Sequence, residues 1–191
     1  MNRAFIALEG TILILLVVPC IGFINDWFIN IIIRRIYYTF GSKLTKFIAN
    51  YLTFIGTVHH ELSHAIIAFC TGAKVTKIEL FYPSGPTLGR VSFIPRGNRI
   101  TKSIQLTLSA IAPVILGCVT EYILIKYAVA NSNGIVTTVI IYYLIFSILM
   151  HMTMSKQDIK NAIKGLPICT LLIFCVLFAT QINIISLLNI M

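Results

Sequence analysis

Residues 47–70 read FIANYLTFIGTVHHELSHAIIAFC, an apolar stretch interrupted by His59-His60-Glu61-Leu62-Ser63-His64. As a helix it rises about 36 Å, enough to cross a hydrocarbon core of ~30 Å. An ionisable side chain in the middle of such a helix costs on the order of 3 kcal/mol on the insertion scale. Here His60, Glu61 and His64 fall within five successive positions. A polar patch that unfavourable points to a ligand that organises it, the plainer reading being a patch lining a helix interface or a proton path; the spacing indicates which kind of ligand. Residues four apart on a helix lie one turn above the other on the same face, so the imidazoles of His60 and His64 reach towards one cation, with the Glu61 carboxylate beside them.

The whole chain agrees with a membrane setting. Of 191 residues, 58% are hydrophobic and only 11% charged, against roughly 25% charged in a soluble domain. Mean hydropathy is +0.92. That composition excludes a soluble enzyme, a disordered chain and a disulfide-rich secreted scaffold. The net charge of +9 serves orientation and contact with anionic headgroups, and no basic and aromatic interleaving points to nucleic acid. Cys20, Cys70, Cys118, Cys169 and Cys175 are odd in number, form no C-x-x-C pair and read as small buried hydrophobes.

Further apolar runs at Ala4–Ile24, Ile104–Tyr127, Ile135–Met154 and Leu166–Met191 bring the expected spans to five. The first resembles a secretory signal, but Glu9 interrupts it and Pro19 spoils the lipoprotein-like Val17-Val18-Pro19-Cys20, so it is expected to be retained. Asn25–Lys46 mixes Trp27, Phe28, Tyr37 and Tyr38 with Arg34, Arg35, Lys43 and Lys46, as a helix lying in the headgroup layer does. Between spans two and three, Val75–Tyr82 and Arg90–Ile94 flank the turn signal Pro83-Ser84-Gly85-Pro86, which predicts a β-hairpin at the membrane surface. The expected fold is an all-α polytopic membrane protein with about five transmembrane helices and this one hairpin. It forms a single integral membrane domain, 1–191, divided into an N-terminal span with its interfacial segment (1–46), a core (47–165) and a C-terminal span (166–191). Ten Lys and Arg, namely Arg3, Lys74, Lys77, Arg90, Arg96, Arg99, Lys102, Lys156, Lys160 and Lys164, share one side and five share the other. The positive-inside rule then places the N-terminus and the hairpin in the cytoplasm of a multi-pass cell-membrane protein.

His-Glu-x-x-His is the arrangement by which two imidazoles hold zinc while the adjacent carboxylate takes a proton from water. Zinc needs a third protein ligand. Candidates are Asp158, His151, Glu121, Glu79 and Cys70. Cys70, six residues beyond His64, is off the ligand face. Alternating topology brings the end of span four to the depth of the histidines, which favours Asp158 and puts His151, about two turns earlier, second. The plainer readings are a helix cap or solvated charge for Asp158, and a histidine satisfied within the bundle for His151. Glu9 and Glu121 lie in spans with no sequence partner assigned, and His59, a quarter turn from His60, reads as a helix-interface residue.

Three features together resemble the site-2 protease family of intramembrane zinc metalloproteases (peptidase family M50), in particular its minimal members. They are His60-Glu61-Leu62-Ser63-His64-Ala65 within a span followed by a Gly/Pro-rich hairpin, Ala112-Pro113 breaking the next span, and Asp158 after the fourth. The similarity covers roughly residues 47 to 165. It implies His60, His64 and Asp158 as zinc ligands, Glu61 as the general base and the hairpin as the element that engages the substrate strand. The chain differs from the family's usual pattern in carrying Ser63 for a glycine, Ala112-Pro113-Val114-Ile115-Leu116 for Gly-Pro-x-x-Asn, and Gln157-Asp158-Ile159 for Leu-Asp-Gly. The expected function is cleavage of a peptide bond within or near a transmembrane segment of a membrane-protein or peptide substrate. The alternatives are an inactive relative that binds membrane partners, and a small transporter or proton-conducting protein built on Glu9, Glu121 and His151.

Overall fold

In a computed structural model, the described residues are 3–83, 87–130 and 134–184. They form helices α1 (Arg3–Phe47), α2 (Phe54–Cys70), α3 (Arg99–Ala130), α4 (Ile135–Leu149) and α5 (Lys156–Thr180), with strands β1 (Lys74–Glu79) and β2 (Arg90–Ile94) between α2 and α3. The expected all-α membrane architecture with one small hairpin is therefore present. The Ser84-Gly85-Pro86 part of the turn signal and the 185–191 end of the last expected span lie outside the described residues.

Among the described residues, three helical stretches are long and apolar enough to cross a membrane: Arg3–Leu52, Arg99–Ala130 and Lys156–Thr180. The other two, α2 with 17 residues and α4 with 15, rise only about 26 and 22 Å. Several hydroxyls meet the requirement that polar groups in lipid be satisfied internally. Thr11, Thr45, Ser63, Thr71 and Thr170 each donate to the carbonyl four residues back at 2.7–2.8 Å.

Two expectations are corrected. The segment from Asn25 does not begin a new helix but continues the first span as α1 as far as Gly41, where the backbone leaves helical φ/ψ. No Gly or Pro stands between Ile24 and Gly41 to stop it, and the kink falls at Gly41, with φ 78°. The fourth span ends at Leu149 rather than Met154, and the chain runs non-helically to Ser155 before α5 begins ten residues earlier than expected, at Lys156 instead of Leu166.

Between α1 and α2 the backbone widens into a π-helical turn, Ile48–Leu52, closed by Thr53, whose N–H donates to Ile48 O and whose Oγ1 donates to Ala49 O. Helix α2 ends at Thr71-Gly72. Gly72, at φ +85°, lets its N–H reach Phe69 O and that of Ala73 reach Ala68 O, both at 2.9 Å, which are the paired bonds of a Schellman cap. The chain leaves in the direction of β1. The strands pair antiparallel from Lys74↔Ile94 to Glu79↔Arg90, with a register shift between Val75 and Lys77. Buried Gln105 of α3 ties the ends together, donating to Thr71 O at 2.9 Å and accepting from the Arg96 N–H at 2.8 Å.

Close helix approach rests on glycine at the α2–α4 contact. The Gly56 N–H donates to Ser147 Oγ at 2.9 Å, and a Cβ at this position would overlap the Ser147 carbonyl. Helix propensity alone favours Gly56→Ala by up to about 1 kcal/mol, but overpacking against a backbone costs about 1–3 kcal/mol. Gly56→Ala is therefore expected to lower the melting temperature of the purified protein in detergent; a variant melting at or above wild type would contradict this contact.

Candidate functional site

The α2 sequence presents His60 and His64 to the bundle interior, where each ring is fixed by a backbone carbonyl of another element. His60 Nδ1 donates to His151 O at 2.7 Å, and His64 Nδ1 donates to Ser109 O of α3 at 2.6 Å. A carbonyl only accepts, so Nδ1 of each neutral ring carries the proton and Nε2 presents a bare lone pair. The two Nε2 atoms face one another at 3.1 Å. Two lone pairs at that separation repel unless a proton or a metal ion lies between them.

Asp158 enters from α5. It is the third residue of that helix and forms a reciprocal capping box. Its N–H donates to Ser155 Oγ at 3.2 Å, while Oδ2 accepts from the Ser155 N–H at 2.9 Å. The other oxygen, Oδ1, stands 3.5 Å from His64 Nε2. One carboxylate thus holds the helix start with one oxygen and turns the second to the histidines. His60, His64 and Asp158 each offer one ligand atom, all within 4.8 Å of one another. His64 and Asp158 are 7% and 8% exposed.

Glu61 faces the hairpin. It lines one cavity with Arg90, Val91 and Ser92, so β2 is turned towards α2. Gly89, just before β2, lies against the same side chain; a Cβ there would come within 2.5 Å of Glu61 Cγ and 3.0 Å of Leu80 O. A cavity of about 840 Å³ opens between these elements, lined by His60, Glu61 and His64 on one wall, by Gly89 to Phe93 on a second and by Ser155, Asp158 and Asn161 on a third.

The other candidates lie elsewhere. The His151 ring lines the cavity but has its Nδ1 directed at Ser147 O, 3.1 Å away, and the residue reaches His60 through its main chain. Glu79 pairs with Lys77 at 3.0 Å in β1, Glu121 is buried on α3 and Cys70 is exposed at the end of α2. None of these joins the cluster formed among the described residues. His59 sits at the α2–α3 interface with Nε2 3.0 Å from Thr120 Oγ1. Sequence reasoning missed Ser109, Gly89 and the carbonyl of His151, which act through the backbone and leave no side-chain signature. The helix cap offered as the plainer reading of Asp158 is present together with the approach to His64, and the spacing Ser155-x-x-Asp158 is its signal.

A family model described as Peptidase M50B-like matches residues 31–190. Neither a curated protein nor a solved structure matches the chain. The matched stretch runs from within α1 through α5 and takes in the whole histidine–aspartate cluster, Glu61 and the hairpin. The chain belongs to the Peptidase M50B-like family and is a site-2-protease-like membrane protein.

Proposed function

We propose that this protein is an intramembrane zinc metalloendopeptidase that cuts a peptide bond within or near a transmembrane segment of a membrane-protein substrate. The observation that carries the reading is the convergence of two bare imidazole nitrogens and one carboxylate oxygen beside Glu61. His60 Nε2, His64 Nε2 and Asp158 Oδ1 would hold the metal. On a tetrahedron with bonds of about 2.0–2.1 Å, ligand atoms stand about 3.4 Å apart; two separations, 3.1 and 3.5 Å, are close to that, and all three donors lie within 4.8 Å of one another. When bound, zinc supplies a Lewis acid for the scissile carbonyl and lowers the pKa of water.

The remaining work falls to the chain's own residues. A helical substrate hides its carbonyls in hydrogen bonds, so the scissile stretch must first become extended. Strand β2 lines the cavity and pairs with no strand besides β1 among the described residues, which supports capture of that stretch as an added strand. Glu61, at the cavity wall, takes the proton of the attacking water on its carboxylate and returns it to the leaving amine. Asp158 keeps its outer oxygen on the Ser155 amide, which holds the inner one towards the histidines. Basic residues around the hairpin favour anionic headgroups, and by the charge asymmetry the N-terminus and hairpin face the cytoplasm of the cell membrane.

Two expected outcomes test this reading, both measured as cleavage of a co-expressed membrane reporter alongside zinc content of the purified protein. Glu61→Gln is expected to lose at least about 10²-fold in cleavage while keeping its zinc, and Asp158→Ala to lose both. Undiminished cleavage by Glu61→Gln would end the protease reading and favour a membrane binding partner. Gly89→Ala pushes Glu61 aside without touching a ligand, and a displacement near 1 Å costs on the order of 10²-fold; cleavage is expected to fall that far at unchanged zinc content. Wild-type cleavage by this variant would mean that the Glu61 position is not set by the hairpin.

A further inference from the structure

Asn25 is 8% exposed, on a helix whose other buried residues are small or apolar apart from two threonines. A buried amide in this setting is unfavourable unless its donors are satisfied. Both are. Nδ2 donates to Leu149 O at 2.8 Å and to Met152 O at 3.0 Å. Leu149 is the last residue of α4, and its carbonyl, at the end of that helix, otherwise takes only the Met152 N–H at 3.3 Å.

The two acceptors bracket His151, whose own carbonyl takes the proton of His60 Nδ1. Three residues beyond Met152 stands Ser155, the cap that aims Asp158. One turn before Asn25, Gly22 packs on the same segment: a Cβ there would meet Met154 Cγ at 3.6 Å and Val114 Cγ2 at 3.3 Å. A single face of α1 therefore seats the non-helical stretch that carries one histidine's orienting carbonyl and leads into the aspartate. Asn25 precedes residue 31, where the family match begins.

Resting on the metal reading above, we propose that Asn25 is a positioning residue that fixes the His60 ring, through the Leu149–Met152 turn and the His151 carbonyl, with its Nε2 free for the metal. Without the amide, the Met152 carbonyl loses its donor, the Leu149 carbonyl keeps only the Met152 N–H at 3.3 Å, and the turn is held less firmly. The His151 carbonyl then shifts, and His60 is free to place its proton on Nε2, where it blocks ligation. Partners that orient a metal-binding histidine typically contribute 10–100-fold in metal affinity.

The test uses full-length protein in detergent, with zinc affinity measured by competition against a chelator and the His60 tautomer read from ring ¹⁵N shifts of the metal-free protein. Asn25→Leu is expected to bind zinc roughly 10–100-fold more weakly and to show His60 protonated partly on Nε2. Asn30→Leu, whose amide bonds only to Asp26 on the same helix, is expected to match wild type in both. If Asn25→Leu does not fold, Asn25→Asp keeps the shape but offers at most one donor, and it is expected to shift both readouts in the same direction. A folded Asn25 variant with wild-type affinity and a purely Nδ1-protonated His60 overturns the proposal. Wild-type protein that binds no zinc would instead overturn the metal reading, and the tautomer of the metal-free variants would still decide the role of Asn25.

Discussion

The structure depends on how two imidazoles are held in a part of the molecule surrounded by lipid-facing helices. Each ring gives its Nδ1 proton to a main-chain carbonyl of a different element, His60 to the stretch after α4 and His64 to α3. That choice fixes the tautomers and leaves two lone pairs facing each other at 3.1 Å. A carboxylate anchored at a helix start completes a cluster whose charge and geometry suit a divalent ion. In the proposed reading the ion offsets the polar burden that α2 carries within the membrane.

The surrounding fold serves that arrangement. Gly56 lets α2 and α4 approach closely enough for the His151 carbonyl to reach His60. The Schellman cap at Gly72 turns the chain so that β2 returns across the α2 face, and Gln105 holds the end of α2 and the exit of β2 on α3. Strand β2 consequently lies beside Glu61, where an extended peptide would have to run.

Much of this was legible in the residues because it is local. The i, i+4 spacing of His60 and His64 places both on one face of any α-helix, and the alternation at Arg90–Ile94 matches the observed strand residue for residue. The glycine at position 72 is an ordinary helix stop. The site's third side proved harder to read. Met150-His151-Met152-Thr153-Met154 contains no Gly or Pro and reads as helix by hydropathy, but tertiary partners take the carbonyls of His151 and Met152 and it runs non-helically. Asp158 appeared to be either a ligand or a cap, whereas its two oxygens face both ways. The continuity of α1 was hidden by its aromatic and basic composition, which describes a helix surface at a membrane boundary but does not say where a helix ends.

The central claim is that this donor set holds one zinc ion in the membrane-embedded protein. X-ray absorption at the zinc edge on the purified, detergent-solubilised chain tests it most directly. The account predicts one zinc per chain with two imidazole nitrogens and oxygen donors at about 2.0–2.2 Å. A sulfur shell at about 2.3 Å, a single imidazole, or no stoichiometric metal would contradict it.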